Sequence, residues 1–235
     1  MSRSFRPKAV HPLGDCAAYI EFSEELDLEV NALIQQLAVM IHGRALPWMH
    51  DVVPALGGLA LHFDPDHAEL HGAPLQAAAN LVAECLKKID PKSGAQPRTV
   101  EVPVCYEPQF APDIDEVAKK TRLSAGQVAQ LHVAGDYRVL MIGFAPGHAY
   151  MGGLDRKLAL PRRAEPRATV AAGSVAIAND QTVVYPYAIS GGWNVIGRTP
   201  LEVFDASRQE PSLFAAGDRV RFRPISGEEF SKMQG

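Results

Sequence analysis

Residues 143–155 read GFAPGHAYMGGLD. Four glycines and one proline in thirteen residues argue against a helix or a central strand here. Such a loop lets backbone N–H groups come close to a ligand, the usual way to cradle an anion. Gly147 and Gly152 have the spacing of a phosphate-binding P-loop, but Gly153 stands where its lysine belongs, so a Walker-type loop is excluded. His148, inside the loop, is the candidate acid–base group, because an imidazole titrates near neutrality. From spacing alone the segment reads equally as a tight structural loop.

A basic run follows: Arg156, Lys157, Arg162, Arg163 and Arg167, broken by Pro161 and Pro166. Guanidinium forks suit carboxylates and phosphates. The competing reading is a solvated edge with weak ion pairs to Asp155 and Glu165. Residues 190–200, SGGWNVIGRTP, read as a Gly191-Gly192 turn and then a strand. Alternation puts Trp193, Val195 and Gly197 on one face and Asn194, Ile196 and Arg198 on the other. Trp193 reads also as a barrel-core aromatic, and Arg198 near a strand end is the more functional-looking of the two. His67 and His71, four apart behind Asp64 and Asp66, resemble half a metal site. No third ligand suggests itself, so they read as surface residues and no metal is expected to be held. Cys105 lacks a nucleophile motif and reads as a buried thiol. No GxSxG or HExxH element occurs.

The elements that must position these residues fall into two parts. In the first, residues 17–22 are a short β-type run, and Asp27 opens a helix with Leu26, Val30, Leu33, Leu37 and Ile41 on one stripe. Gly43 is the expected stop. Two β-type runs, 52–56 and 59–63, flank Gly57-Gly58, which supplies the positive φ of a tight hairpin. A second helix spans residues 74–88, with Leu75, Ala79, Val82 and Leu86 on one stripe. The β-α-β-β-α order predicts an α+β two-layer sandwich with both helices on one face. Residues 90–98, DPKSGAQPR, read as a linker. Residues 99–104, TVEVPV, alternate and fit either the last strand of the first domain or the first of the second.

The second part opens with two short helices. Asp113 with Glu116, and Ser124 with Gln127, each resemble a capping box. From residue 137 onward short β-type runs dominate: 138–144, 169–178, 182–185, 193–196, 201–204 and 219–224, with a turn at Ala216-Gly217-Asp218. Many short strands broken by Gly and Pro indicate a barrel or sandwich. The chain has 235 residues, 47% hydrophobic, with a formal net charge of -4. That composition fits folded domains and does not advertise nucleic-acid binding. No apolar run reaches the ~18–20 residues of a membrane span, the first fifteen residues lack the apolar stretch of a secretory signal, and three scattered cysteines fit a reducing compartment. A cytoplasmic location is expected.

In these segments the sequence resembles the family of the 5-oxoprolinase B component, also called allophanate hydrolase subunit 1, which includes an inhibitor of a sporulation histidine kinase. The family pattern is roughly GFxPGFxYLGGLD, then PRR…PR…VPAGSVGIAG, then QTGIYP…SPGGWxxIGRTP. This chain carries GFAPGHAYMGGLD at 143–155, PRRAEPRATVAAGSVAIAND at 161–180, QTVVYP at 181–186 and SGGWNVIGRTP at 190–200. VPVCYEPQFAPDIDEVA at 102–118 resembles the family's IPVCYGGEFGPDLEEVA. The resemblance covers most of the second part; the first carries no sharp motif.

The resemblance implies a cyclophilin-like β-barrel domain over residues 93–235, which takes 99–104 into the barrel, after a small α+β domain over residues 1–92. It implies one subunit of an ATP-dependent amidohydrolase that opens 5-oxo-L-proline to L-glutamate, or acts on a related amide or urea-type substrate. ATP, with Mg2+, would be shared with a larger homologous subunit and a third subunit, and the chain alone would be inactive. Set against these residues' own chemistry, the expected site uses His148, Arg162 and Arg198 in catalysis and Gly147, Gly152, Arg163, Gln181 and Tyr185 on the substrate. The sequence departs from the pattern: His148 replaces a Phe, Glu107-Pro108 a Gly-Gly, Ala176, Asn179 and Val183 glycines, and Ser190 a proline. Two other functions compete: a binding module that inhibits a sensor histidine kinase, and, from the barrel alone, a prolyl isomerase.

Overall fold

A computed structural model of the chain describes residues 5–89 and 97–234. Contacts divide the chain into two units, Met1–Gln96 and Pro97–Gly235. The boundary expected between residues 92 and 93, and residues 90–96 of the expected linker, lie outside the described residues.

In the first unit the order is β1 (Ala9–Pro12), β2 (Ala17–Glu21), α1 (Leu28–His42), β3 (Met49–Pro54), β4 (Gly58–Phe63) and α2 (Pro74–Leu86). The strands form an antiparallel sheet in the order β1-β2-β4-β3. Alternation turns Ala18 and Ile20 of β2 and Leu59, Leu61 and Phe63 of β4 inward, where they share one apolar cluster with both helices. Asp27 caps α1, its Oδ1 accepting from the backbone N–H groups of Glu29 at 2.9 Å and Val30 at 3.1 Å. Val30, Leu33, Leu37 and Ile41 are buried along the expected stripe.

Gly43 stops α1 as expected, in right-handed conformation at φ -65°. Three other local features differ from the sequence reading. Neither Gly57 nor Gly58 has positive φ. They are required by proximity: a Cβ on Gly57 would lie 2.0 Å from the Ser23 carbonyl oxygen, and one on Gly58 2.3 Å from the Tyr19 ring. The buried stripe of α2 is Ala78, Leu81, Val82 and Cys85, turned from the expected one, and Leu75 is exposed. β1 was not foreseen, since four residues ending in proline suit only a sheet edge.

The second unit runs β5 (Thr99–Cys105), α3 (Ile114–Thr121), α4 (Ala125–Ala134), β6 (Tyr137–Ile142), β7 (Ala149–Gly152), β8 (Arg167–Val170), β9 (Ser174–Ala178), β10 (Gln181–Val184), β11 (Ile189–Gly191), β12 (Asn194–Arg198), β13 (Arg219–Ile225) and α5 (Gly227–Gln234). Seven strands close a barrel in the order β10-β7-β6-β13-β5-β12-β9, and β8 and β11 form a separate ribbon. Residues 99–104 thus enter the barrel, where β5 runs parallel to β13 in register from Thr99↔Arg219 to Cys105↔Ile225. Val102, Val139, Met151, Ile177, Ile196 and Phe222 fill the interior together with Ile114 and Val117 of α3 and Val128 of α4. Cys105 is buried, as expected.

Ser124 and Gln127 form the expected capping box: Ser124 Oγ accepts from the Gln127 N–H at 3.2 Å, and Gln127 Oε1 accepts from the Ser124 N–H at 2.8 Å. Asp113 and Glu116 do not, because the Asp113 carboxylate is engaged elsewhere. Residues 149–152 of the glycine-rich segment are a barrel strand paired on both sides, contrary to the composition argument. The run 169–178 breaks at Gly173, at φ +75°, where a Cβ would lie 2.3 Å from the Thr199 carbonyl oxygen. Residues 201–204 form no strand, only a bridge from Phe204 to Ser212. The turn at 216–218 has Gly217 at φ +90°.

Candidate functional site

The outer faces of β9, β10 and β12 carry a second apolar cluster, Ala176, Ala178, Val183, Tyr185, Trp193 and Val195, with Val170 and Ile189 of the β8–β11 ribbon packed on it. Beside it opens a cavity of about 240 Å³. Its walls are the rings of Phe144, Tyr150, Tyr185 and Trp193, the His148 imidazole, Arg162, Arg163, Pro166 and the Ser190-Gly191-Gly192 segment. Gly191 shapes one wall, since a Cβ there would lie 2.1 Å from the Tyr185 hydroxyl.

His148 sits at the head of β7, 2% exposed and edge-on to Tyr185 at 5.2 Å between ring centroids. Its Nδ1 is buried and makes no hydrogen bond among the described residues. Burial pushes its pKa down to about 4, the residue's own backbone opposing part of the shift. The ring is therefore neutral at physiological pH. The expectation of a group titrating near neutrality is corrected. Phe144, at the rim, is 68% exposed, has φ +71° and stacks edge-on against His148 at 5.5 Å.

The arginines divide into two kinds. Arg162 lies with its guanidinium carbon 5.7 Å from the centre of the Trp193 ring and makes no ion pair among the described residues. Arg163 and Arg167 are held instead by Asp113, 2% exposed. Arg167 grips it as a fork, Nη1 to Oδ2 at 2.8 Å and Nη2 to Oδ1 at 2.6 Å. Arg163 Nη1 donates to Asp113 Oδ1 at 2.8 Å and to Glu116 Oε2 at 3.1 Å. The Val195 N–H donates to Asp113 Oδ2 at 2.7 Å, and the Asp113 N–H donates to the Val195 carbonyl at 3.0 Å. These pairs replace the expected ones to Asp155 and Glu165. One carboxylate thus ties the start of α3, strand β12 and the arginine segment together, and the Arg163 N–H donation to Gly192 O at 2.7 Å closes the frame.

Of the residues singled out from the sequence, His148, Arg162, Arg163 and Tyr185 line this cavity, and Gly147, Gly152, Gln181 and Arg198 do not. Gln181 and Gly152 are partners in the β10–β7 ladder. Arg198 ends β12 and donates through Nε to the Ala172 carbonyl at 2.8 Å. Gly147 and Gly153 are required by the chain's own packing. A Cβ on Gly147 would lie 2.8 Å from Phe204, and one on Gly153 2.2 Å from the Asp136 carbonyl oxygen. His67 caps a short 3-10 turn, its Nδ1 accepting from the Glu69 N–H at 3.3 Å. Among the described residues no group of three or more His, Cys, Asp or Glu side chains gathers to hold a metal.

Sequence reasoning missed Asp113 as the hub and the aromatic walls Phe144 and Tyr150. A second buried histidine, His132, lies inside the barrel between Tyr106 Oη at 2.8 Å and Thr182 Oγ1 at 3.0 Å.

Residues 8–214 match the family described as carboxyltransferase domain, subdomains C and D. The Kluyveromyces lactis urea amidolyase shares the fold, with a TM-score of 0.75 at 20% identity over 95% of this chain and 15% of that one. More particularly, the 5-oxoprolinase B component of Bacillus subtilis (strain 168) is 38% identical over 226 residues, 94% of either chain. The chain belongs to the family of the 5-oxoprolinase B component. Its structure is similar to that of TTHA0988, with a TM-score of 0.76 and 35% identity over 90% of this chain. This chain spans about 40% of the TTHA0988 length.

Proposed function

We propose that the chain is one subunit of an ATP-dependent amidohydrolase that opens 5-oxo-L-proline to L-glutamate, or acts on a related cyclic amide or urea-type substrate. A larger homologous subunit and a third subunit complete the enzyme. One observation carries the reading: a small aromatic-walled cavity with an ion-pair-free arginine, Arg162, at its edge, in a chain 38% identical to a protein named as the B component of 5-oxoprolinase. An unpaired guanidinium suits the carboxylate of such a substrate, and fixed cations and dipoles stabilise negative charge developing on an amide oxygen. The barrel serves as a cyclophilin-like scaffold for that cavity.

ATP, with Mg2+, would supply the phosphoryl group that activates the amide in the assembly. The aromatic-walled cavity, at about 240 Å³, is below the ~300–1,000 Å³ that drug-sized ligands occupy and suits the small acid rather than a whole nucleotide. The nucleotide is shared with the partner subunits in this proposal, and the chain alone is inactive. A cytoplasmic location is part of the same proposal; among the described residues no helix is long and apolar enough to cross a membrane.

The test is to co-purify the chain with its larger partner and the third subunit and to measure glutamate formed from 5-oxo-L-proline. The expected result is ATP-dependent glutamate only when this chain is present. Turnover by the complete partners without it would overturn the proposal.

A further inference from the structure

An unsatisfied polar atom in a protein interior is rare, because it forfeits its bonds to water and regains none. Two such side-chain atoms, His148 Nδ1 and Arg163 Nε, belong to residues lining this one cavity. Arg163 is anchored by its far end on Asp113 and Glu116, so its position does not depend on a ligand. His148 is pinned among the Phe144, Tyr150 and Tyr185 rings. An apolar aromatic side chain would fill the same space and leave nothing unpaired. The position therefore sacrifices folding stability, and the cavity is where that sacrifice is recovered.

We propose that His148 is the specificity-determining residue of the cavity, reserved for a polar ring atom of a small cyclic anion whose negative group sits on Arg162. The site selects an acid whose ring bears a hydrogen-bonding N–H or C=O over an acid of equal size and charge with a plain hydrocarbon ring. This rests on the function proposed above and names how its substrate is read. His148 touches the ligand as a hydrogen-bonding group in its neutral form and moves no proton. The depressed pKa supports that role, since one ring nitrogen of a neutral imidazole donates and the other accepts. The selection follows from asymmetry: a site built around a polar partner leaves its own group unpaired when the partner is missing, which weakens binding by roughly tenfold or more.

The probes are 5-oxo-L-proline and cyclopentanecarboxylate, which share a five-membered ring and a carboxylate but differ in the lactam. Binding of both to the full chain, alone and with its larger partner, is measured by calorimetry, with Trp193 fluorescence as a second signal. Wild type is expected to prefer the lactam at least about tenfold. His148→Phe is expected to bring the two affinities within about twofold of each other while its melting temperature stays level or rises. His148→Asn, which keeps a polar group near the Nδ1 position, is expected to restore part of the preference. Unchanged preference in His148→Phe overturns the inference. So does a fall in melting temperature with equal loss of both acids, which marks a packing role. An inert assembly whose chain still discriminates by way of His148 refutes the amidohydrolase reading and leaves this one standing. An active assembly with no discrimination does the reverse, and failure of 5-oxo-L-proline to bind in any form refutes this inference.

Discussion

Replacing Asp113 by Asn keeps the volume and removes the charge. The carboxylate now accepts four hydrogen bonds: Arg163 Nη1 and Arg167 Nη2 on Oδ1, Arg167 Nη1 and the Val195 N–H on Oδ2. An amide offers one oxygen. Its NH2 group faces donors whichever way it turns, so at least two of the four bonds are lost. Breaking a buried ion pair by changing one partner typically costs about 3–5 kcal/mol. The Arg163 and Arg167 side chains are 25% and 30% exposed and recover some hydration, which places the expected loss near the lower end, about 3 kcal/mol. At roughly 2–4 °C per kcal/mol, the melting temperature of the second unit should fall by about 6–12 °C. In a Trp48→Phe background Trp193 is the only tryptophan, so its fluorescence reports this unit alone. Glu116→Gln is the control: its carboxylate is solvent-exposed, and the melting temperature should stay within about 2 °C of wild type. An Asp113→Asn protein that melts within about 2 °C of wild type would refute the reasoning that one carboxylate holds the site together.

Acid should destabilise the protein through its buried histidines. His148 and His132 have folded-state values of about 4 and about 3, below the ordinary 6.5, so the unfolded chain takes up protons first. Their contribution is complete above about pH 6.5 and is lost as pH falls toward those values, each adding a slope of up to about 1.4 kcal/mol per pH unit. Urea melts between pH 4.5 and 6 should show that slope reduced by about 1 kcal/mol per pH unit in His148→Phe. Arg162→Ala, an exposed change, should leave the melting temperature within about 2 °C while weakening 5-oxo-L-proline binding about tenfold or more by calorimetry. Gly153→Ala places a Cβ 2.2 Å from the Asp136 carbonyl oxygen at φ +107°, and urea melts should show a loss of more than about 3 kcal/mol, or no soluble protein. Ser124→Ala breaks the capping box and should cost about 1 kcal/mol by the same measurement.

Much of this was legible where a local rule decides. Asp27 and Ser124 carry oxygens that fit a helix start, and both cap one. The alternation around Trp193 and Ile196 placed them on opposite faces, and the structure puts Trp193 in the outer cluster and Ile196 inside the barrel. The segments that carried the family resemblance also contain His148, Arg162, Arg163 and Tyr185, which the fold gathers around one cavity. What stayed hidden depends on distance along the chain. Asp113 looked like a helix cap because its partners lie 50, 54 and 82 residues away. The glycine-rich segment looked unfit for a strand because propensity counts residues singly, whereas β7 is held by ladders on both sides. Whether a glycine exists for its φ or for a neighbour's backbone is likewise undecidable from sequence, as Gly57 and Gly58 illustrate.

The parallel ladder between β5 and β13 has a consequence for how the protein is made. Its partners, such as Thr99 and Arg219, are 120 residues apart, and the ladder joins the first and last strands of the barrel. Bringing the ends of a loop that long together carries an entropic penalty of roughly 4 kcal/mol that nothing local offsets. On the ribosome β5 emerges at the start of the second unit and waits with both edges unpaired until β12 is made, and with one edge unpaired until β13 follows. The barrel therefore closes late and slowly, and the interval in which the β5 edge is open is when a nascent chain is most exposed to pairing with a neighbour. Chains that end before Arg219 leave the ring open for good, so premature termination should yield aggregates rather than a smaller folded protein.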